Sequence, residues 1–241
     1  MEILYPFKQK QTLSQMLICA LVFIGMAVPF KVMVLVEGFT EVRPVNAVPV
    51  VVGLLFGPIG AWGCAIGNVI ADLFGTFSWA SILGFIGNFI AAYIPYKLWH
   101  ILKKGEAPNV KSFKNIGIYI LISAVGTLAT GIIIACGLDV FFGFWSRELF
   151  TIICLNDFLF PLLLGLPVLI VLTCKDNKLT AFIPPVQSKF PLWRNVCLTV
   201  FLISIAVIVV LVYSGFVMSG SILMLISGGL FLLALVGIVF I

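Results

Sequence analysis

The chain has 241 residues, of which 62% are hydrophobic and only 10% charged, with a formal net charge of +5 and a mean hydropathy of +1.25. Soluble domains carry about 25% charged residues, so this composition excludes a water-soluble globular protein and points to an integral membrane protein. Repeated apolar runs of roughly 20 residues place it in the helical class, since membrane barrels show weak alternation over ~10 residues instead.

Taken in chain order, the apolar runs predict eight transmembrane helices at 12–35, 45–57, 58–75, 79–103, 115–137, 149–174, 195–214 and 220–241. Lys8 and Lys10 before the first run imitate a signal peptide. No small-x-small cleavage site follows, and Pro29 and Lys31 stand where cleavage is expected, so the run is retained as the first helix. The second and third helices share the turn Phe56-Gly57-Pro58. A proline fits the first turn of a helix, whereas one span over 45–75 would need about 45 Å at 1.5 Å per residue. A hairpin is the better reading. The expected organisation is an all-α, polytopic membrane protein: a six-helix unit over 1–175, a polar, proline-bearing linker over 176–194, and a C-terminal transmembrane hairpin over 195–241. From Val196 onward no residue is charged, which leaves that hairpin without parts for chemistry.

With the N-terminus inside, eleven of the 14 basic residues fall on the cytoplasmic side, among them Lys97, Lys103, Lys104, Lys111, Lys114 and Arg194. This follows the positive-inside rule and accounts for the net charge without any appeal to nucleic acid. Six of the nine acids, Glu37, Glu41, Asp72, Asp139, Glu148 and Asp157, collect in the opposite half. The six cysteines are scattered with no CxxC pair, so they read as small hydrophobes and no metal site is expected.

Polar residues inside apolar helices are the informative ones, because a carboxylate near hydrocarbon costs about 2.5–3.5 kcal/mol on insertion scales and normally faces protein or water. Asn68 and Asp72 are four residues apart and share a helix face. Asn46, Asn88, Asn156 and Asp157 lie on other helices, and Pro161 frees a backbone carbonyl at Asp157. Glu41 and Arg43 follow the first helix, Trp79 opens the fourth, and Trp145 and Arg147 precede the sixth. Together these eleven residues are the expected wall of an outward-facing binding pocket, although each asparagine could equally make an interhelical hydrogen bond and each tryptophan an interfacial belt. The pairs Gly53–Gly57 and Gly63–Gly67 read as close helix packing, while Ala20, Gly25 and Ala27 offer a small-residue face for a partner helix. The single histidine, His100, sits beside lysines, and there is no GxxxxGKS, HExxH or nucleophile elbow. No enzyme activity, cofactor or nucleotide site of its own is expected.

The stretches VRPVNAVPVVVGLLFGPIGAWGCAIGNVIADLFG (42–75), SILGFIGNFIAAYIPYKLW (81–99) and LNDFLFPLLLGLPVLIVL (155–172) resemble the substrate-binding S components of energy-coupling factor (ECF) transporters. That resemblance implies capture of a vitamin, cofactor precursor or similar micronutrient from outside. It further implies work with a transmembrane T component and two ABC-type ATPases, ATP being used only by those partners, in a bacterial-type cell membrane with both termini cytoplasmic. The family's alanine-rich docking motif on helix one is not reproduced, and the C-terminal hairpin is additional to the usual six helices. An acid-rich outer half favours a cationic or amine-bearing ligand such as an aminomethylated deazapurine or a thiamine-like molecule. The competing readings are a stand-alone secondary transporter or channel for a small polar solute and a membrane-embedded enzyme.

Overall fold

Prolines, glycines and capping serines set the ends of the helices. The computed structural model describes residues 2–31, 34–36, 40–174 and 190–240, with the backbone alone for 34–36, 40–41 and 174. Helix α1 spans Lys10–Ala27 and gives way to a 3-10 turn at Val28–Phe30. The helix expected to reach residue 35 thus stops early, because Pro29 has no N–H to continue the ladder. The chain then forms a short antiparallel hairpin, β1 (Val34–Val36) and β2 (Thr40–Glu41), with Val34 opposite Glu41 and Val36 opposite Thr40. Lys31 therefore lies beyond the first helix rather than within it.

A 3-10 turn at Pro44–Asn46 leads into α2 (Ala47–Phe56), followed by α3 (Pro58–Asp72). Gly57 between them has φ +56, which glycine adopts without strain, and a Cβ there would also lie 2.9 Å from the Tyr96 ring. Helix α4 is Ser81–Leu102. Helix α5 (Phe113–Gly131), capped by the Ser112 hydroxyl accepting from Asn115 N–H at 3.2 Å, runs through a π-helical turn at Ile132–Cys136 into α6 (Gly137–Phe142). Helix α7 (Arg147–Phe160), capped likewise by Ser146, passes through a second π-helical turn at Pro161–Gly165 into α8 (Leu166–Cys174). The C-terminal pair is α9 (Pro191–Tyr213) and α10 (Ile222–Phe240).

Among the described residues six helical rods are long and apolar enough to cross a membrane. The α2–α3 pair, of 10 and 15 residues, spans only about 15 and 22 Å at 1.5 Å per residue. Together with the six rods it makes an all-α polytopic membrane protein. Glycines let the short pair sit at the centre. A Cβ on Gly53 would lie 2.1 Å from Ala92 O of α4, one on Gly60 2.3 Å from Val52 O of α2, and one on Gly63 2.5 Å from Cys19 Cβ of α1. The backbones approach closely at each crossing, as small residues permit in membranes. The face of α1 buried against α3 includes Cys19, Ala20, Phe23 and Ala27.

The C-terminal hairpin packs onto the bundle, and Phe201, Ile208, Met224 and Phe231 belong to the same buried cluster as Tyr93, Trp99 and Ile122. Two polar ties hold it at one end: Asp139 accepts from Ser219 N–H at 2.8 Å and Ser219 O–H at 2.7 Å, and the Thr151 and Tyr213 hydroxyls are 3.0 Å apart. At the opposite end the 3-10 segment Glu2–Phe7 folds under α3 and α4. There Glu2 takes Lys97 Nζ at 2.7 Å and the hydroxyl of Tyr96, and Trp62 Nε1 donates to Ile3 O at 2.8 Å. Tyr93 O–H lies within reach of both the Glu2 carboxylate (3.4 Å) and Val239 O (3.3 Å), so residues from both termini meet at one side chain.

Candidate functional site

The end of the bundle away from Glu2 gathers most of the polar residues singled out in the sequence. Helix α3 ends on Asp72, one turn after Asn68, and both are buried. Lys31 Nζ donates to Asp72 Oδ1 at 2.9 Å and to Thr76 Oγ1 at 2.5 Å, and Thr76 O–H lies 3.1 Å from the same Oδ1. Asn68 Nδ2 donates to Asp72 Oδ2 at 3.2 Å, and Arg43 Nη2 donates to Asn68 Oδ1 at 2.9 Å. One turn of α3 therefore anchors the α1–α2 connection at both its ends, through Lys31 before β1 and Arg43 after β2.

Asp157 lies deeper. It is ten residues past Arg147, the start of α7, which places it about 15 Å in from that end of the helix. Its carboxylate accepts from Asn46 Nδ2. The turn Pro44–Asn46 dips into the bundle to meet it. The backbone carbonyl of Asp157, freed by Pro161, is taken by Thr127 O–H at 2.8 Å, and Tyr119 O–H donates to Pro161 O at 2.8 Å. These bonds fix the start of the π-helical turn, a feature that often marks functional positions.

Around Asp157 lies a cavity of about 40 Å³ lined by Arg43, Asn46, Asn88, Thr130, Ile134, Ile153, Asn156 and Asp157. A neighbouring recess of about 10 Å³ shares Asn46, Asn88 and Asp157 and adds Thr127 and Ala91. Since a water needs roughly 10–15 Å³ by this measure, the space suits a few waters, and a bicyclic solute must widen it. The residues converge from the 43–46 turn, α4, α5, α7 and the first π-helical turn. Asn88 donates to Gly84 O at 2.9 Å, which leaves its amide oxygen for the cavity. Arg43 Nε is buried and carries no hydrogen bond.

A larger groove of about 560 Å³ lies between α3 and α4, lined by Val69, Phe77, Ser78, Trp79, Ser81, Ile82 and Phe85. It has no charged residue, and Trp79 is 79% exposed on its rim. Of these two spaces we favour the smaller as the polar site, because charged and amide groups converge on it and not on the groove.

The structure thus brings Arg43, Asn46, Asn88, Asn156 and Asp157 together, with Asn68 and Asp72 bonded behind Arg43. It places Trp79 on the outer surface, Trp145 partly buried against the main core, and Arg147 on the surface beside Glu148 at 3.6 Å. Glu37 and the side chain of Glu41 lie outside the described residues. Of the small residues on α1, Ala20 and Ala27 face the interior and Gly25 faces outward with nothing near its Cβ position. Thr127 and Thr130 were not singled out from the sequence, although two threonines three residues apart on one face of an apolar helix were the available signal. Lys31, which stood in the sequence only as a charge within the first apolar run, is the partner of Asp72.

Residues 12–174 match the family model described as QueT transporter. No curated protein and no solved structure matches the chain. The matched region covers roughly two thirds of the 241 residues and includes every residue of the cavity, and it ends before α9 and α10.

Proposed function

The chain belongs to the QueT transporter family, a family of ECF substrate-binding components, and from that premise we propose that it captures a queuosine precursor, an aminomethylated deazapurine, at the Asp157 cavity. One observation carries this reading: a carboxylate, an arginine and three asparagines from three segments of the chain converge on one cavity. Amides and a guanidinium suit the carbonyl and ring nitrogens of a planar heterocycle, and the carboxylate suits its amine. The basic ends of α4 and α5, with Lys97, Lys103, Lys104, Lys111 and Lys114, support a cytoplasmic placement of the Glu2 end. The cavity then opens toward the outside and both termini lie in the cytoplasm of a bacterial-type cell.

The chain's role is binding and delivery. Loading widens the cavity, and because Asn46, Arg43 and Asp157 sit on the 43–46 turn and on α7, these are the elements whose separation makes room. The energy for inward release comes from a T component and two ABC-type ATPases, which alone use ATP. Co-purification from a host carrying those partners, followed by mass spectrometry of the retained small molecules, tests the proposal. A deazapurine and the three partner chains are expected; ligand transport into liposomes by the chain alone would instead favour the secondary-carrier reading.

A further inference from the structure

Two carboxylates at this end of the bundle, Asp72 and Asp157, are held by different partners, and we infer that this divides their roles: Asp157 receives the amine of the ligand, whereas Asp72 is committed to Lys31. The inference rests on the binding reading above and specifies which group sets its charge selectivity.

Asp72 is already compensated. One oxygen accepts from Lys31 Nζ at 2.9 Å and lies 3.1 Å from Thr76 Oγ1, and the other accepts from Asn68 Nδ2 at 3.2 Å. An amine arriving there would have to displace a lysine whose side chain is only 8% exposed. Asp157 lines both the cavity and its neighbouring recess, and its carboxylate is met by the neutral amide of Asn46. Among the described residues no lysine, arginine or histidine stands within ion-pair distance of it. Arg43 acts on it only across the cavity, and a carboxylate inside the bilayer without a directly bonded cation is costly, so a cationic ligand supplies the contact that the chain leaves open. Arg43 lines the same cavity but spends Nη2 on Asn68, and its buried Nε carries no hydrogen bond. That leaves a donor for an acceptor on the ligand. Arg43 and Asp157 therefore select a solute with a cation and an acceptor on one edge.

Two probes separate the charge from the base: aminomethylated deazaguanine and its nitrile counterpart, which has the same ring system and no cation. In calorimetric titrations the wild type should prefer the amine by about tenfold or more, as a charge-assisted contact implies. Asp157→Asn should bring the two affinities within about threefold of one another by losing the amine's advantage. Asp157→Glu, which keeps the charge, should retain the preference with both affinities reduced. If Asp157→Asn does not elute as a folded monodisperse protein, Asp157→Ser replaces it as the neutral variant. Equal weakening of both probes by the neutral variant would mean that Asp157 reads the base, and the inference would fail. Collapse of the preference in Asp72→Asn instead would overturn it as well. A wild type that binds neither probe marks failure of the ligand class alone. Thermal stabilisation by benzylamine against benzyl alcohol then decides the amine assignment, supported if Asp157→Asn abolishes a benzylamine effect and overturned if the effect is absent or survives.

Discussion

Lys31 Nζ lies 2.9 Å from Asp72 Oδ1, with the two side chains only 8% and 10% exposed. A buried pair of this kind adds little over an apolar replacement, but removing one partner leaves the other charge stranded, which costs about 3–5 kcal/mol. Asp72→Asn or Lys31→Met should therefore lower stability by about that amount, read as a drop in the thermal unfolding midpoint in detergent. Lys31→Met combined with Asp72→Leu should recover most of the loss. Single variants as stable as the wild type would show that the pair is not closed in the membrane protein.

The Gly53 contact makes a steric prediction. A Cβ there would lie 2.1 Å from a backbone oxygen of α4, whereas one at Gly25 would meet nothing within 4 Å. Gly53→Ala should cost about 1–3 kcal/mol through forced separation of α2 and α4, and Gly25→Ala should be neutral within about 0.5 kcal/mol. Equal midpoints for the two variants in the same detergent would count against the packing described.

Much of this architecture was legible in the sequence, and the exceptions have physical causes. The α2–α3 hairpin followed from Pro58 after Gly57, and the ends of α4 followed from hydropathy, because lipid constrains both, whereas α9 begins at Pro191, inside the expected linker, because a proline fits the first turn of a helix. The early end of α1 was signalled by Pro29, but the apolar residues beyond it kept the hydropathy high and masked the stop. The π-helical turns left no signal except Pro161. Pairing was the least legible feature. Spacing put Asn68 and Asp72 on one face, yet nothing local says that Lys31, 41 residues earlier, closes on that face. Trp79 and Arg147 suit either a pocket or a surface by composition, and only tertiary packing places them at the surface.

The C-terminal hairpin is tied to the six-helix unit by Asp139, which is 3% exposed and accepts two hydrogen bonds from Ser219. Asp139→Asn and Ser219→Ala should each destabilise by about 1–3 kcal/mol. In a double-mutant cycle the losses should be clearly less than additive. Additive losses would mean that the two residues do not meet.

At the opposite end, Glu2 joins Lys97, Tyr96 and Tyr93. Glu2→Gln removes the charge that orders the first 3-10 segment, so amide exchange over residues 2–7 should accelerate about tenfold or more while α9 and α10 keep their protection. Unchanged exchange over those residues would show that the bonds from Trp62 Nε1 to Ile3 O and from Thr12 Oγ1 to Pro6 O, each 2.8 Å, hold the segment without the charge.

The central claim is that the Asp157 cavity is the ligand site, and a space-filling variant tests it most directly. Asn88→Leu keeps the helix but puts a bulkier, apolar side chain in place of an amide that lines both recesses. In a calorimetric titration of the purified protein with aminomethylated deazaguanine, the wild type should bind at one site and the variant more than about tenfold more weakly, with its unfolding midpoint within a few degrees of the wild type. Wild-type affinity in a folded Asn88→Leu protein would contradict the account.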